Sequence, residues 1–148
     1  MHPHAFYIHV MNKVVTSVSE MYIDDDGILR IKVIKGVIIS LEKMKEHLDA
    51  SAKLLNGRKA LTLIEGASKF TMTEEANKYL ASEKGAENRI AAAFITNSFF
   101  NKVWFNFYLK FNKPVTPTKM FNSEENAISW LKSFYIMPGD KFERKKKK

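Results

Sequence analysis

Apolar positions recur along this chain in two periods, and the switches between them delimit the elements. Glu20 to Ile23 and Ile28 to Ile34 are β-type runs, joined by Asp24-Asp-Asp-Gly27. The Asp-Gly pair is a strong hairpin signal, because glycine adopts positive φ without strain. From Leu41 the spacing lengthens to three and four residues: Leu41, Met44, Leu48, Ala52 and Leu55 fall on one face of a helix over 41–55. Ser40 suits its N-cap, and Asn56-Gly57 supplies a stop. Lys59 to Ile64 reads as a buried strand, the stretch from Glu65 to Thr71 as a short loop, and 73–82 as a second helix. Thr73, Glu74 and Glu75 suit the start of that helix, where carboxylates meet the positive end of the dipole.

Arg89 to Thr96 is small and apolar throughout, the pattern of a central strand covered on both faces. Asn97-Ser98 then caps a third helix that extends to about Phe111. Lys113-Pro-Val-Thr-Pro117 is a loop, Thr118 to Phe121 a short strand, and Ser123 opens a last helix carrying Ala127, Ile128, Trp130, Leu131 and Phe134. The order ββαβαβαβα predicts an α/β domain over 18–137, with a mostly parallel sheet and one antiparallel edge strand. Residues 1–17 show no clear period and read as an N-terminal extension or an extra edge strand; Met11 would itself serve as a start. Beyond Pro138-Gly139, residues 138–148 read as a basic disordered tail.

The third helix stands out, with seven aromatics in the 14 residues from Ser98 to Phe111. On a helical wheel Phe99, Phe100, Val103, Trp104, Phe107, Tyr108 and Phe111 fill one half, which is expected to face the core. Phe105 and Leu109 fall outside it, beside Asn101, Lys102, Asn106 and Lys110. Phe105, Leu109 and Lys102 therefore form the candidate interface, because leaving two large apolar side chains in water forgoes about 1.5 to 3 kcal/mol each. A second copy of the chain, a cover from the N-terminal segment, or a lipid surface would each meet that need. The lipid version draws on Lys102, Lys110, Lys113 and the terminal lysines. Single-stranded nucleic acid could stack on the same rings, but no basic, aromatic strand face accompanies them, so a nucleic-acid partner is not expected.

Composition narrows the chemistry. A length of 148 residues, 45% hydrophobic and 27% charged, suits one globular domain. The net charge of +8 is half accounted for by the segment from Asp140 to Lys148. That tail is expected to be solvated, with weak polyanion binding as its alternative. The absence of cysteine excludes disulfides, thiolate metal sites and cysteine nucleophiles and allows a reducing compartment. No apolar run approaches the roughly 20 residues that cross a bilayer, and the N-terminus lacks a secretory layout, so a cytoplasmic protein is expected. His2, His4 and His9 lie in the segment without period, and His47, between Glu46 and Asp49, reads as solvated helix surface. The cluster Asp24, Asp25 and Asp26 reads as a solvated turn rather than a cation site. Nothing supplies a nucleophile with its base, a phosphate loop or a metal triad, so no catalytic residue, cofactor or metal is expected.

Several strings carry a family resemblance: Ile39-Ser-Leu-Glu42, Leu61-Thr-Leu-Ile-Glu65, Ala91-Ala-Ala-Phe-Ile95, Asn112-Lys-Pro-Val-Thr-Pro117, and Phe121 followed by Ala127, Trp130 and Leu131. With the element order, they resemble the STAS-like domains related to the anti-sigma-factor antagonist SpoIIAA, in an uncharacterised bacterial branch, over about 20–135. The resemblance implies a non-enzymatic module that works through protein partners. In phosphorylation-controlled members a serine sits after the central strand, where the second helix begins. Here the matching stretch runs from Glu65 to Thr73, with Ser68 nearest in position and Thr71 and Thr73 close by, but without the Asp-Ser context of those members. A phosphate there would add about two negative charges beside a helix N-terminus; the alternative makes Ser68 and Thr73 plain turn and capping residues. The expected function is regulatory or scaffolding, by binding a protein or a second copy of this chain, and the alternative is a peripheral membrane-surface binder.

Overall fold

The structure is a computed structural model that describes residues 13–135. Its central sheet has six strands in the order β1-β2-β3-β5-β7-β8: β1 (Val14–Val15), β2 (Ser19–Ile23), β3 (Leu29–Val33), β5 (Ala60–Glu65), β7 (Arg89–Ile95) and β8 (Thr118–Phe121). β3, β5, β7 and β8 are mutually parallel, and β2 pairs antiparallel with both of its neighbours, so it alone runs against the rest. The Asp24-to-Gly27 turn closes the β2–β3 hairpin, with Gly27 at φ +80° and Asp24 Oδ1 accepting from the amides of Asp26 and Ile28. Two further strands, β4 (Ile38–Ile39) and β6 (Thr71–Met72), form a small parallel sheet of their own. The sequence reading missed this pair, since two residues are too short to show a period.

From β3 onward each new parallel strand is added on the same side of the last. Right-handed crossovers therefore place the three connecting helices on one face: α1 (Leu41–Leu54), α2 (Glu74–Ala81) and α3 (Phe99–Phe107). The final helix, α4 (Glu124–Lys132), follows the edge strand and covers β5, β7 and β8 from the other face. Ser40, Thr73, Ser98 and Ser123 cap these helices, each accepting from the backbone amide three residues on. α1 stops where Asn56 and Gly57 take positive φ and the Gly57 amide returns to the Ala52 carbonyl.

The core divides along the sheet. On the three-helix face Val18, Ile39, Met44, Phe70, Phe94, Phe105 and Tyr108 pack together; under α4 lie Ile28, Leu61, Leu63, Ala91, Ala93, Ala127 and Leu131. The runs of Ala91, Ala92 and Ala93 let helices approach both sides of β7. The remaining face of β2 and β3 is polar, bearing Glu20, Tyr22, Arg30 and Lys32, and no described element covers it. The aspartates of the hairpin have structural tasks there: Arg30 donates from Nε to Asp24 and from Nη1 to Glu124, both at 2.9 Å, and Lys132 pairs with Asp26 at 2.9 Å. The Tyr135 hydroxyl donates to the Asp26 carbonyl. The hairpin turn is thus tied to α4, while Asp25, Asp26 and Gly27 stay exposed as a solvated turn does.

The third helix is α-helical only to Phe107 and continues as one π turn, Tyr108–Asn112, ending at Lys113 with φ 48°. Of residues 1–17, the described part holds the edge strand β1, which pairs Val14 with Met21 and Val15 with Glu20. The tail reading over 138–148 and the histidines His2, His4 and His9 lie outside the described residues.

Candidate functional site

The orientation of α3 is set by a polar residue. Asn101 is wholly buried, and its amide nitrogen lies 3.0 Å from the carbonyls of Gly66 and Ser68 and 3.2 Å from Thr96 Oγ1. The 66–70 loop leaves the C-terminal end of the central strand β5, where its buried carbonyls need donors, and Asn101 supplies them. Gly66 sits so close to the core that a Cβ would come within 2.8 Å of the Phe70 ring. With Asn101 inward, Phe105 and Tyr108, four and seven residues on, also point inward. Phe105, 3% exposed, stacks on Phe94 at 4.8 Å between ring centroids, and Trp104 stacks on Tyr108 at 5.4 Å.

This reverses the face expected from the wheel. Phe105 is core, and Leu109 is half-buried against the same cluster, so neither forms a free interface. Of the seven side chains expected inside, only Tyr108 is fully buried and Trp104 half-buried. Phe99 is 80% exposed, Phe107 58% and Phe111 63%, with Phe100 and Val103 also exposed. A helix apolar on nearly every side has no informative wheel. The discriminating signal was the pair Asn101 and Phe105, a polar side chain in register with an aromatic one, facing carbonyls that sequence alone does not place.

The outer face so formed is apolar and basic. Phe107 and Phe111 stack at 5.4 Å, Lys69 Nζ lies 4.4 Å over the Phe100 ring, and Lys110 Nζ lies 5.6 Å from the Phe111 centroid. Lys102 is half-buried at the edge of this face. From Asn88 to Ser123 the chain contains no Asp or Glu, so nothing on the helix offsets these charges.

The candidate phosphorylation residues lie along the stretch that leads into α2. Ser68 is half-buried in the loop that Asn101 holds, Thr71 belongs to β6 opposite Ile38, and the Thr73 hydroxyl accepts from the Ala76 amide as the cap of α2.

Beneath α3 the sequence reading missed a buried polar group. His47 is enclosed rather than solvated: its Nδ1 lies 2.7 Å from Ser19 Oγ, which in turn lies 2.9 Å from Thr16 Oγ1. His47 is one helical turn from Met44 and Ser51 on the inner stripe of α1, which outweighs its acidic sequence neighbours. Burial lowers its pKa to about 4, and the nearby Arg89 charge adds to the fall while Glu46 opposes it. Arg89, 8% exposed, donates to the carbonyls of Leu80 and Gly85 at the end of α2. Burial also raises the Tyr108 hydroxyl to about 12, with Arg89 pulling the other way.

The His47 shift has a consequence for stability. The unfolded imidazole protonates near 6.5, the folded one near 4, so the contribution is complete above about pH 6.5 and is lost as pH falls toward 4. The loss amounts to about 3 kcal/mol at about 1.4 kcal/mol per unit. Urea midpoints at neutral pH and near pH 4.5 are expected to diverge in the wild type by more than in His47→Leu; equal slopes in the two proteins would contradict the buried neutral imidazole.

A family model described as a domain of unknown function, DUF7793, matches residues 21–135. The chain belongs to the DUF7793 family. The match spans the domain from β2 to the end of the described structure, including both faces of α3. Among solved structures, an uncharacterised DUF3478-family protein with a SpoIIAA-like fold from Shewanella loihica PV-4 aligns over 76% of this chain and 91% of its own, at 15% identity and a TM-score of 0.54. The fold is therefore SpoIIAA-like, in agreement with the STAS-like resemblance and the mostly parallel sheet. A protein of unknown function from Arthrobacter sp. FB24 aligns over 75% of this chain and 96% of its own at 22% identity, but its TM-score of 0.26 adds nothing to the fold. No curated protein gives a significant match.

Proposed function

We propose that this DUF7793 domain is a non-enzymatic STAS-like regulatory or scaffold module, and that it binds a protein whose apolar surface is rimmed by carboxylates through the outer face of α3. The observation that carries the reading is the exposure of Phe99, Phe100, Val103, Phe107 and Phe111 together, edged by Lys69, Lys102 and Lys110 in a stretch without acids. Contiguous exposed apolar side chains rimmed by polar ones mark binding surfaces. Charge decides the kind of partner. A two-fold contact between copies would set two basic faces without acids against each other, whereas an acidic rim would pair with these lysines. The STAS-like resemblance favours a protein over a lipid.

The Ser19–His47 pair does not support catalysis. Ser19 is 1% exposed, its imidazole partner is a weak base with a pKa near 4, and a Ser–His nucleophile needs a base poised near working pH and room for a carbonyl substrate. Of the three candidate hydroxyls, Ser68 suits phosphate control best, since Thr73 is engaged as a cap and Thr71 lies within a ladder. A phosphate on Ser68 would sit beside Lys69 at the rim of the aromatic face and oppose an acidic partner.

The test compares proteins recovered from cells with tagged wild type, Phe107→Glu, Lys110→Glu and, as a control on the open sheet face, Tyr22→Glu. The reading expects a directly binding acidic protein whose affinity falls roughly thirtyfold or more with Phe107→Glu, as at an interface hot spot, falls with Lys110→Glu, and holds with Tyr22→Glu. Sedimentation of the wild type with phosphatidylserine vesicles, lost in Phe107→Glu, would replace the protein partner by a membrane surface.

A further inference from the structure

A cavity of about 70 Å³ lies between the sheet and the inner sides of α1, α2 and α3, and a second of about 60 Å³ adjoins it between α1 and the end of α2. His47 and Arg89 line both and stand between them. The first chamber is walled by Met44, Phe70, Phe94 and Phe105, and it is reached by Trp104 and Tyr108 from the helix above. A water needs only about 10 to 15 Å³ of such space, so the chambers exceed single trapped waters.

Asp49, Lys84 and Glu87 line the outer part of the second cavity, but the electrostatics at Arg89 itself are one-sided. Arg89 donates to two backbone carbonyls, which satisfy hydrogen bonds without cancelling charge, and among the described residues no carboxylate pairs with it. His47 next to it is neutral. Trp104 Nε1 is buried without an acceptor. An uncompensated cation beneath an apolar layer is costly unless an anion joins it. The guanidinium fork keeps N–H groups beyond the two in use, and a fork matches the two oxygens of a carboxylate. Phosphate, with four oxygens and a larger charge, would need more donors than Arg89 and Trp104 supply. The aromatic and aliphatic walls suit an apolar body behind the head group.

We propose that the paired cavities bind a small straight-chain monocarboxylic acid, its carboxylate on the Arg89 guanidinium and its hydrocarbon among Phe70, Phe94 and Phe105. The site lies on the inner side of α3 and does not depend on the partner proposed for the outer side.

Titration of the full chain with butyrate, hexanoate and octanoate tests this, followed by calorimetry and by the thermal midpoint, with hexan-1-ol and inorganic phosphate as controls. Saturable binding of at least one carboxylate is expected, with a raised midpoint, and binding of hexan-1-ol or phosphate weaker by about tenfold or more. Arg89→Met is expected to lose the preference for carboxylate over alcohol. Ala92→Val, which fills space in the wall beside Phe94, is expected to abolish binding in a protein that still unfolds cooperatively, and it keeps the test open if Arg89→Met does not fold. Absence of saturable carboxylate binding by the wild type, equal binding of the alcohol, tighter binding of phosphate, or unchanged binding in Ala92→Val would each overturn the proposal.

Discussion

Phe105→Ala is expected to destabilise the domain by about 3 to 5 kcal/mol, the usual range for truncating a buried phenylalanine, while Phe107→Ala, two residues on, stays within about 0.5 kcal/mol as an exposed substitution does. The contrast follows from packing. Phe105 stacks on Phe94 and touches Trp104 and Tyr108, at the centre of the larger core cluster, so its removal leaves a hole that the β7 backbone cannot close. Among the described residues Phe107 meets only Phe111 of the aromatic rings, and both are exposed. Urea unfolding of the two variants checks this, and similar losses in both would mean that α3 is buried on both sides.

Gly85→Ala is expected to be at least as severe. A Cβ at residue 85 would lie 1.9 Å from the Tyr79 carbonyl oxygen and 2.9 Å from its carbon. Both are backbone atoms, so no side-chain rotation relieves the clash and the segment after α2 must move. The same segment presents the Gly85 carbonyl to Arg89 Nη2 and takes the Gly85 amide to Ser82 Oγ, so displacement also unseats the buried guanidinium. A loss of about 4 kcal/mol or more is expected, a large part of the roughly 5 to 15 kcal/mol of a typical domain. Far-ultraviolet circular dichroism with a denaturant titration reads it out, and a midpoint within error of wild type would contradict the tight turn.

The fold was legible in the sequence because its signals are local. Ser40, Thr73, Ser98 and Ser123 each cap the helix expected of them, the Asp-Gly turn closes its hairpin, and Thr118 to Phe121 forms a strand with the expected bounds. What escaped was anything set by tertiary placement. The face of α3 depends on the need of the Gly66 and Ser68 carbonyls for donors, which Asn101 meets, and that outweighs the larger number of aromatics on the opposite side. His47 looked solvated beside Glu46 and Asp49, yet its register with Met44 and Ser51 turns it inward. Arg89 opens an apolar strand, a position that as sequence gives no sign that its guanidinium ends beneath two helices.

The side of α3 that faces solvent is the point on which the proposed function turns, and the absence of cysteine from the chain makes it directly measurable. Single cysteines at positions 101, 103, 105 and 107, labelled with a maleimide under native conditions, report it. Rapid labelling is expected at 103 and 107, with protection at 101 and 105 until the domain unfolds. Rapid labelling at 105 with protection at 103 and 107 would contradict this orientation and return the interface to Phe105 and Leu109.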